Sequence, residues 1–585
     1  MAHLLPKYTA EAQKRIHPAR DGQYVELARS DPWVTAPPSP IPPSTQVLIV
    51  GAGFTGITAA VHLIQNGVDA KDITLVDEGG DFGGTWYWNR YPGLMCDVES
   101  LLYLPLLEET GYKPKYRYSY GYEILEYLKI VVDKYGLQGV FGRKIESMMW
   151  KDSQWHVQLN GGTTTAQFVY LTNGAHGEPK VPNMDNSFKG DIIHTARWDY
   201  SVTGGSSTDW TLDKLKGKKV GIVGTGATAV QCLPELAKWA SEVYVFQRTA
   251  ASVDTRDQRL LTAEDWAYTN KPKWQRERRE RWSSFVSGED TTDDNDDLRD
   301  SWSRLTTMKH IVGGVHEQPV TMEQIPALIN QALDEDGPRA ERIRQQVETI
   351  VTDRAVAEKL KPWYPSWCKR PCFHDEYLQA FNLPHVHLVD TDGKGISEIT
   401  QEGIVANEES YPLDLIVLST GYTSVSKVYL DPSKLTNMTI TGPNGTLSDQ
   451  WTTKGASTLH GVLIPNFPNL IVTGPSQVGV SPNYAHTIDL VTEHAAHIVG
   501  EAIKRQQVVQ ASEEAAGEWT MRVVTRLGWL APMGVCGPNY MNNELAETDR
   551  ERIMKGALYP EGVNEYGRVL KSWSDEGEWK GLVFA

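Results

Sequence analysis

Short apolar runs and helical stripes follow one another in a repeated order along the first half of the chain. Residues 47–50, VLIV, are the unbroken apolar run of a strand covered on both faces. Beyond them Ile57, Ala60, Val61 and Ile64 recur at helical spacing until Gly67 ends the stripe. A second strand at 73–76 ends on Asp77. The turn between strand and helix is Gly51-Ala52-Gly53-Phe54-Thr55-Gly56, with an acid 21 residues past its last glycine, which completes a βαβ dinucleotide opening. The order then repeats: a strand at 220–223, the turn Gly224-Thr225-Gly226-Ala227-Thr228-Ala229, a helix running to about Trp239, and a strand at 243–246. This second strand pair ends in Gln247-Arg248-Thr249 instead of an acid.

Outside the two repeats the pattern changes. Residues 32–43 contain six prolines and predict a stiff connector that sets off an N-terminal extension. From about 256 to 365 the chain reads as a helical insertion, with Trp266, Trp274 and Trp282 eight residues apart and an acidic run at 289–297 that predicts a solvated loop. The tryptophan repeat suits core packing or the lining of a substrate pocket.

Composition narrows the function. Across 585 residues the formal net charge is −17, which argues against a nucleic-acid backbone as partner. The N-terminus lacks a secretory signal and no run reaches the ~20 apolar residues of a membrane span, so a cytoplasmic protein is expected. Five cysteines are too few for a disulfide framework, and no second Cys/His pair accompanies Cys368 and Cys372. Reduced thiols and no metal site are therefore expected. The 19 tryptophans suit a large apolar pocket or simple core filling.

The glycines of the first turn let the backbone approach a pyrophosphate seated on a helix N-terminus, and Asp77 is placed to accept ribose hydroxyls. At the second turn Arg248 stands where such an acid would be, and a guanidinium there pairs with a 2′-phosphate, so the second nucleotide should be NADP. Two further blocks carry more specific information. Gly83-Gly84-Thr85-Trp86-Tyr87-Trp88-Asn89-Arg90-Tyr91-Pro92-Gly93 precedes Cys96-Asp97, and Phe188, Gly190, His194, Trp198 and Asp199 are spaced as FxGxxxHxxxWD between the two nucleotide folds. On these motifs the chain resembles the class I Baeyer–Villiger monooxygenases, from about residue 44 to its end.

The resemblance implies an α/β flavoprotein with two Rossmann-like domains, for FAD and NADP, and an NADPH- and O2-dependent conversion of ketones to esters or lactones through a flavin peroxide. It implies FAD contacts at Thr85, Trp86, Asp97 and Tyr103. NADP contacts are implied at Thr225, Gly226, Ala227, Thr228, Gln247, Arg248, Thr249, Lys369 and Arg370. Arg370, whose guanidinium stays charged at working pH, would steady the anionic oxygen species, with Asp97 orienting it. A purely structural buried ion pair is the alternative. His194 and Trp198 are expected to couple domains more than to carry protons. The stretch from Cys536 to Glu544 departs from the SWxxGxNxPGK-like segment of shorter members. With the N-terminal extension, it resembles longer members acting on bulky cyclic or polycyclic ketones. Expected units are 1–43, extension and connector; 44–190, FAD domain; 191–404, NADP domain with its insertion; and 405–585, the returning FAD part. A monomer or weak homo-oligomer is expected. The rival readings are a nitrogen- or sulfur-oxidising flavin monooxygenase and a catalytically silent nucleotide-binding flavoprotein.

Overall fold

The computed structural model describes residues 2–27, 33–34, 37–172, 174, 178–185, 187–290, 297–314, 318–423, 430–547 and 549–585. Most of the acidic run at 289–297 and part of the proline connector lie outside the described residues.

Two parallel sheets organise the chain. In the first, Ser44–Val50 lies between Ile73–Asp77 and Gly162–Leu171, parallel to both, with Val47 opposite Ile73 and Phe168. Such a strand, covered on both faces, needs the unbroken apolar run that residues 47–50 supply. The helix Phe54–Gln65 is buried from Phe54 to Leu63 and packs against Tyr484–Arg505, which brings the C-terminal part of the chain back onto this first unit. An antiparallel meander, Ile145–Lys151 and Gln154–Leu159, extends the sheet.

The second sheet is parallel throughout, in the order Val386–Asp390, Glu242–Gln247, Lys219–Val223, Leu415–Leu418, Asp191–His194. Its fourth strand corrects the expected boundary at 404/405: Leu415–Leu418 pairs with Lys219–Val223 and with Asp191–His194, so the chain leaves the second unit only after Leu418. The four-residue strand follows the short hairpin Gly403–Ala406 and Glu409–Pro412.

The insertion is helical, with Trp274–Ser287 and the long Ile325–Ile350. Trp282 is fully buried and Trp274 nearly so, which decides the tryptophan repeat at these positions in favour of packing. The first of these helices docks onto the first unit: Arg279 donates to the carbonyls of Leu102 and Leu104, and Gln275 to those of Leu101 and Leu104. The insertion thereby clamps the two units together. Among the described residues no helix is long and apolar enough to cross a membrane.

One expectation fails. Cys368 and Cys536, 168 residues apart, form a disulfide with their Cα atoms 5.1 Å apart, whereas Cys96, Cys232 and Cys372 are free and buried. A pair so far apart in sequence leaves no local spacing to read, which is why five reduced thiols were expected. Denatured protein without reductant should titrate three thiols, and five after reduction; five at the outset would remove the bridge. Cys536→Ser should lower stability by about 2–4 kcal/mol in a denaturant titration.

Candidate functional site

Both glycine turns open onto one cavity of 1260 Å³ that lies between the sheets. At the first turn close backbone contact requires glycine. A Cβ on Gly56 would lie 2.0 Å from the carbonyl oxygen of Gly51, and one on Gly84, itself at φ +54°, would lie 2.7 Å from the Cα of Gly53. The helix at Phe54 starts on Gly53 with no side-chain cap, so its first N–H groups are left for an anion. Asp77 accepts from the N–H groups of Ala52 and Gly79, both at 2.8 Å, and so braces the loop from the end of the second strand. Thr55, Thr85, Trp86 and Tyr103 line the cavity, with Trp86 Nε1 donating to Tyr103 Oη at 3.1 Å. Gly56 does not line it; its place is the helix–strand contact.

The second turn repeats this design. The helix Ala227–Ala237 begins on an uncapped Gly226, where an added Cβ would find no atom within 4 Å. Thr225 donates to the Thr249 carbonyl at 2.6 Å, and the buried Thr249 hydroxyl has no hydrogen-bond partner. Thr228, Arg248, Thr249 and Lys369 line the same region. Gln247 is not among the lining residues: its amide donates to the Lys359 carbonyl and to Asp390. Arg248 donates through Nη1 to Gln23 at 3.0 Å and Tyr24 at 3.3 Å, and through Nη2 to Glu544 at 3.3 Å. Burial, reinforced by the charges of Arg15 and Arg248, pushes the Lys369 ammonium down to about 7.

Between the turns Arg370 meets Asp97 in a bidentate pair, Nη1 to Oδ2 at 2.5 Å and Nη2 to Oδ1 at 3.0 Å. Burial alone would raise the Asp97 carboxyl; the Arg370 guanidinium outweighs it and lowers it. Burial would likewise lower Arg370, but Asp97 raises it, so both groups are ionised. Asp97 is 7% exposed and Arg370 40%, and Arg370 lines the cavity.

The linker fingerprint lies elsewhere. Trp198 is fully buried and donates to Thr203; Asp199 caps the short helix Tyr200–Thr203; Phe188 packs beneath the second sheet, and a Cβ on Gly190 would meet the Asp414 carbonyl at 2.6 Å. His194 Nδ1 accepts from the Ala196 N–H at 3.1 Å, and burial, with Arg197 nearby, pushes its pKa down to about 4, so the ring is neutral. None of these five lines the cavity. Sequence reading missed Arg256, buried near Asp97 with Nε and Nη1 unpartnered, as well as Gln23, Tyr24 and Glu544. Glu544 ends the stretch that departs from the family segment; the others carried no local signal.

These residues fit two dinucleotides. Each turn offers an uncapped helix start, glycines that admit close approach, and at the second a cluster of cations suited to an added phosphate.

Comparison with known proteins agrees. Residues 48–263 match the family described as pyridine nucleotide-disulphide oxidoreductase. The chain is similar to a polycyclic ketone monooxygenase of Thermothelomyces thermophilus, at 39% identity over 99% of this chain and 96% of that one. It is also similar to a Baeyer–Villiger monooxygenase of Stachybotrys chlorohalonatus, at 39% identity over 99% and 94%. Among solved structures it resembles the polycyclic ketone monooxygenase from Thermothelomyces thermophila, with a TM-score of 0.96 and 38% identity over 100% of this chain and 99% of that one. It also resembles a steroid monooxygenase bound to NADP, with a TM-score of 0.72 and 25% identity over 92% and 99%.

Two measurements probe the second turn. Arg248→Ala should weaken NADPH binding about ten- to a hundred-fold, the worth of one charge-assisted contact, and spare NADH. Equal loss for both coenzymes would place Arg248 away from the phosphate. Lys369, with its pKa near 7, is largely neutral at pH 8, and a phosphate beside it favours the ammonium. The pKa in the complex then exceeds that in the free protein, so coenzyme binding takes up close to one proton at pH 8. Affinity should hold below pH 7 and fall as pH rises above it. Calorimetry in buffers of different ionisation enthalpy reads the uptake, which Lys369→Met should abolish.

Proposed function

Because this chain belongs to the Baeyer–Villiger monooxygenases, an FAD-binding family that uses NADPH and O2, we propose that it converts bulky polycyclic ketones to esters or lactones in the cavity faced by Arg370. Its near full-length similarity to a polycyclic ketone monooxygenase supports the substrate class. The observation that carries the reading is the geometry of Arg370: one side held by Asp97, the side chain still 40% exposed at the cavity.

FAD and NADPH, when bound, supply the activation of dioxygen and the electrons that reduce one of its atoms to water. The protein's part is electrostatic. Arg370 presents a fixed positive charge toward the place where negative charge develops on oxygen during attack on the ketone. A donor held in place beforehand needs no reorganisation at the moment of reaction. Asp97 is the positioning residue: its bidentate contact fixes the guanidinium plane and keeps the cation in place when no substrate is present. Trp86 and Tyr103 form one wall of the cavity, and the glycine turns would hold the two nucleotides through backbone N–H groups. His194 carries no proton in the reaction; neutral and set away from the cavity, it secures the strand that enters the second unit.

Arg370→Ala should still bind FAD and still be reduced by NADPH, yet lose ester formation at least a hundred-fold, since removing one oxyanion partner costs about 2.7–4 kcal/mol. Stopped-flow absorbance reads flavin reduction, and chromatography with mass detection reads the product from a panel of steroidal, macrocyclic and simple cyclic ketones. Ester formation by the variant near the wild-type rate would move the oxygenation site elsewhere. Oxidation of amines and sulfides by the wild type, with no ester from any ketone, would sink the proposed reaction.

A further inference from the structure

The pocket around Arg248 holds more positive than negative charge. Arg15, from the N-terminal extension, is 6% exposed with its Nε unpartnered, and its guanidinium bears electrostatically on Lys369. Lys369 Nζ donates to the Pro538 carbonyl at 3.4 Å and lies 5.8 Å from the centre of the Tyr364 ring. Lys180 adds a further positive charge from the strand at the crossover. The carboxylate that answers this group is Glu544, itself 5% exposed and bound to the Nη2 of Arg248. Nη1 of the same guanidinium is taken by Gln23 and Tyr24, so Nη2 is the edge on which an anion sits.

The backbone that delivers Glu544 is in an unfavourable conformation. Asn543, Glu544 and Leu545 stand in succession at φ +52°, +54° and +59°. Asparagine tolerates the left-handed region; glutamate and leucine adopt it at a cost, and three such residues in a row need surrounding contacts to offset it. The contact from Glu544 to Arg248 is one of these, beside the Glu544 N–H bond to the Asn539 carbonyl.

We propose that Glu544 is a built-in counter-anion seated where the coenzyme 2′-phosphate binds, and that the phosphate displaces it from Arg248. The displaced carboxylate leaves the cation cluster to a dianion that neutralises it better, and the turn at 543–545 is freed to relax. Glu544 thus sets coenzyme affinity from a segment outside both nucleotide folds, and keeps the cations paired when no coenzyme is present. The proposal rests on the reading of Arg248 and Lys369 as coenzyme-phosphate residues.

Calorimetric titration of the FAD-loaded protein with 2′-AMP and with 5′-AMP tests it, without turnover. The wild type should prefer 2′-AMP. Glu544→Gln should bind 2′-AMP roughly ten-fold more tightly, the gain expected when a seat open about a tenth of the time becomes fully open, with 5′-AMP unchanged. Glu544→Asn guards against misfolding: asparagine suits the left-handed turn and lacks the charge, and it should show the same gain with normal FAD content by absorbance. A wild type that does not distinguish the two nucleotides would overturn the coenzyme-phosphate reading and this proposal with it. A wild type that prefers 2′-AMP, joined to variants that bind it no better or more weakly, would overturn this proposal alone and leave Glu544 a structural ion-pair partner.

Discussion

The pair between Asp97 and Arg370 is the contact on which the arrangement of the site depends, because its partners come from different units. Asp97 follows the glycine-rich block of the first unit. Arg370 sits between the short helix Ser366–Cys368 and the strand Cys372–Phe373, which pairs with Val253–Asp254 of the second. Burying Asp97 and part of Arg370 costs desolvation energy that offsets much of their attraction, so a pair of this kind adds little to stability by itself. What it contributes is geometry. A carboxylate can satisfy one edge of a guanidinium in bidentate fashion, and it then fixes the plane of the whole group. A lysine at 370 would offer a mobile point charge with no second edge to present.

Much of this was readable in advance wherever a physical requirement is local. Gly51, Gly53, Gly56 and Gly84 are needed by contacts a few residues apart or by the approach of two adjacent loops, and an apolar run such as 47–50 has one comfortable place in a parallel sheet. Requirements that act across the chain were not readable. The Cys368–Cys536 bridge joins residues 168 positions apart. Gln247 shows the limit from the other side: it stands in a sequence position suited to a coenzyme contact, and its amide donates to the Lys359 carbonyl and to Asp390.

The N-terminal extension is the clearest case of a segment whose meaning is tertiary. Its strand Tyr24–Glu26 pairs antiparallel with Lys180–Pro182, at the point where the chain passes from one unit to the other. That pairing puts Tyr24 under the Lys180 ammonium, 4.3 Å from the ring centre, and brings Tyr24 and Gln23 onto Arg248. The extension is therefore built into the wall of the cavity beside Arg248.

Net charge and local field diverge for the same reason. A chain at −17 repels polyanions at a distance, yet a coenzyme with three phosphate groups needs a strongly positive seat. The fold meets both conditions by drawing Arg15, Lys180, Arg248 and Lys369 from four separate stretches into one poorly solvated place, where charges interact far more strongly than at the surface. The depressed Lys369 shows what burial, compounded by that concentration, costs: one ammonium is held close to losing its proton. An anion arriving there relieves a repulsion already present in the fold. With the phosphate seat proposed at Arg248 and Lys369, preference for a phosphorylated ribose would follow from the crowding of cations as much as from any single contact.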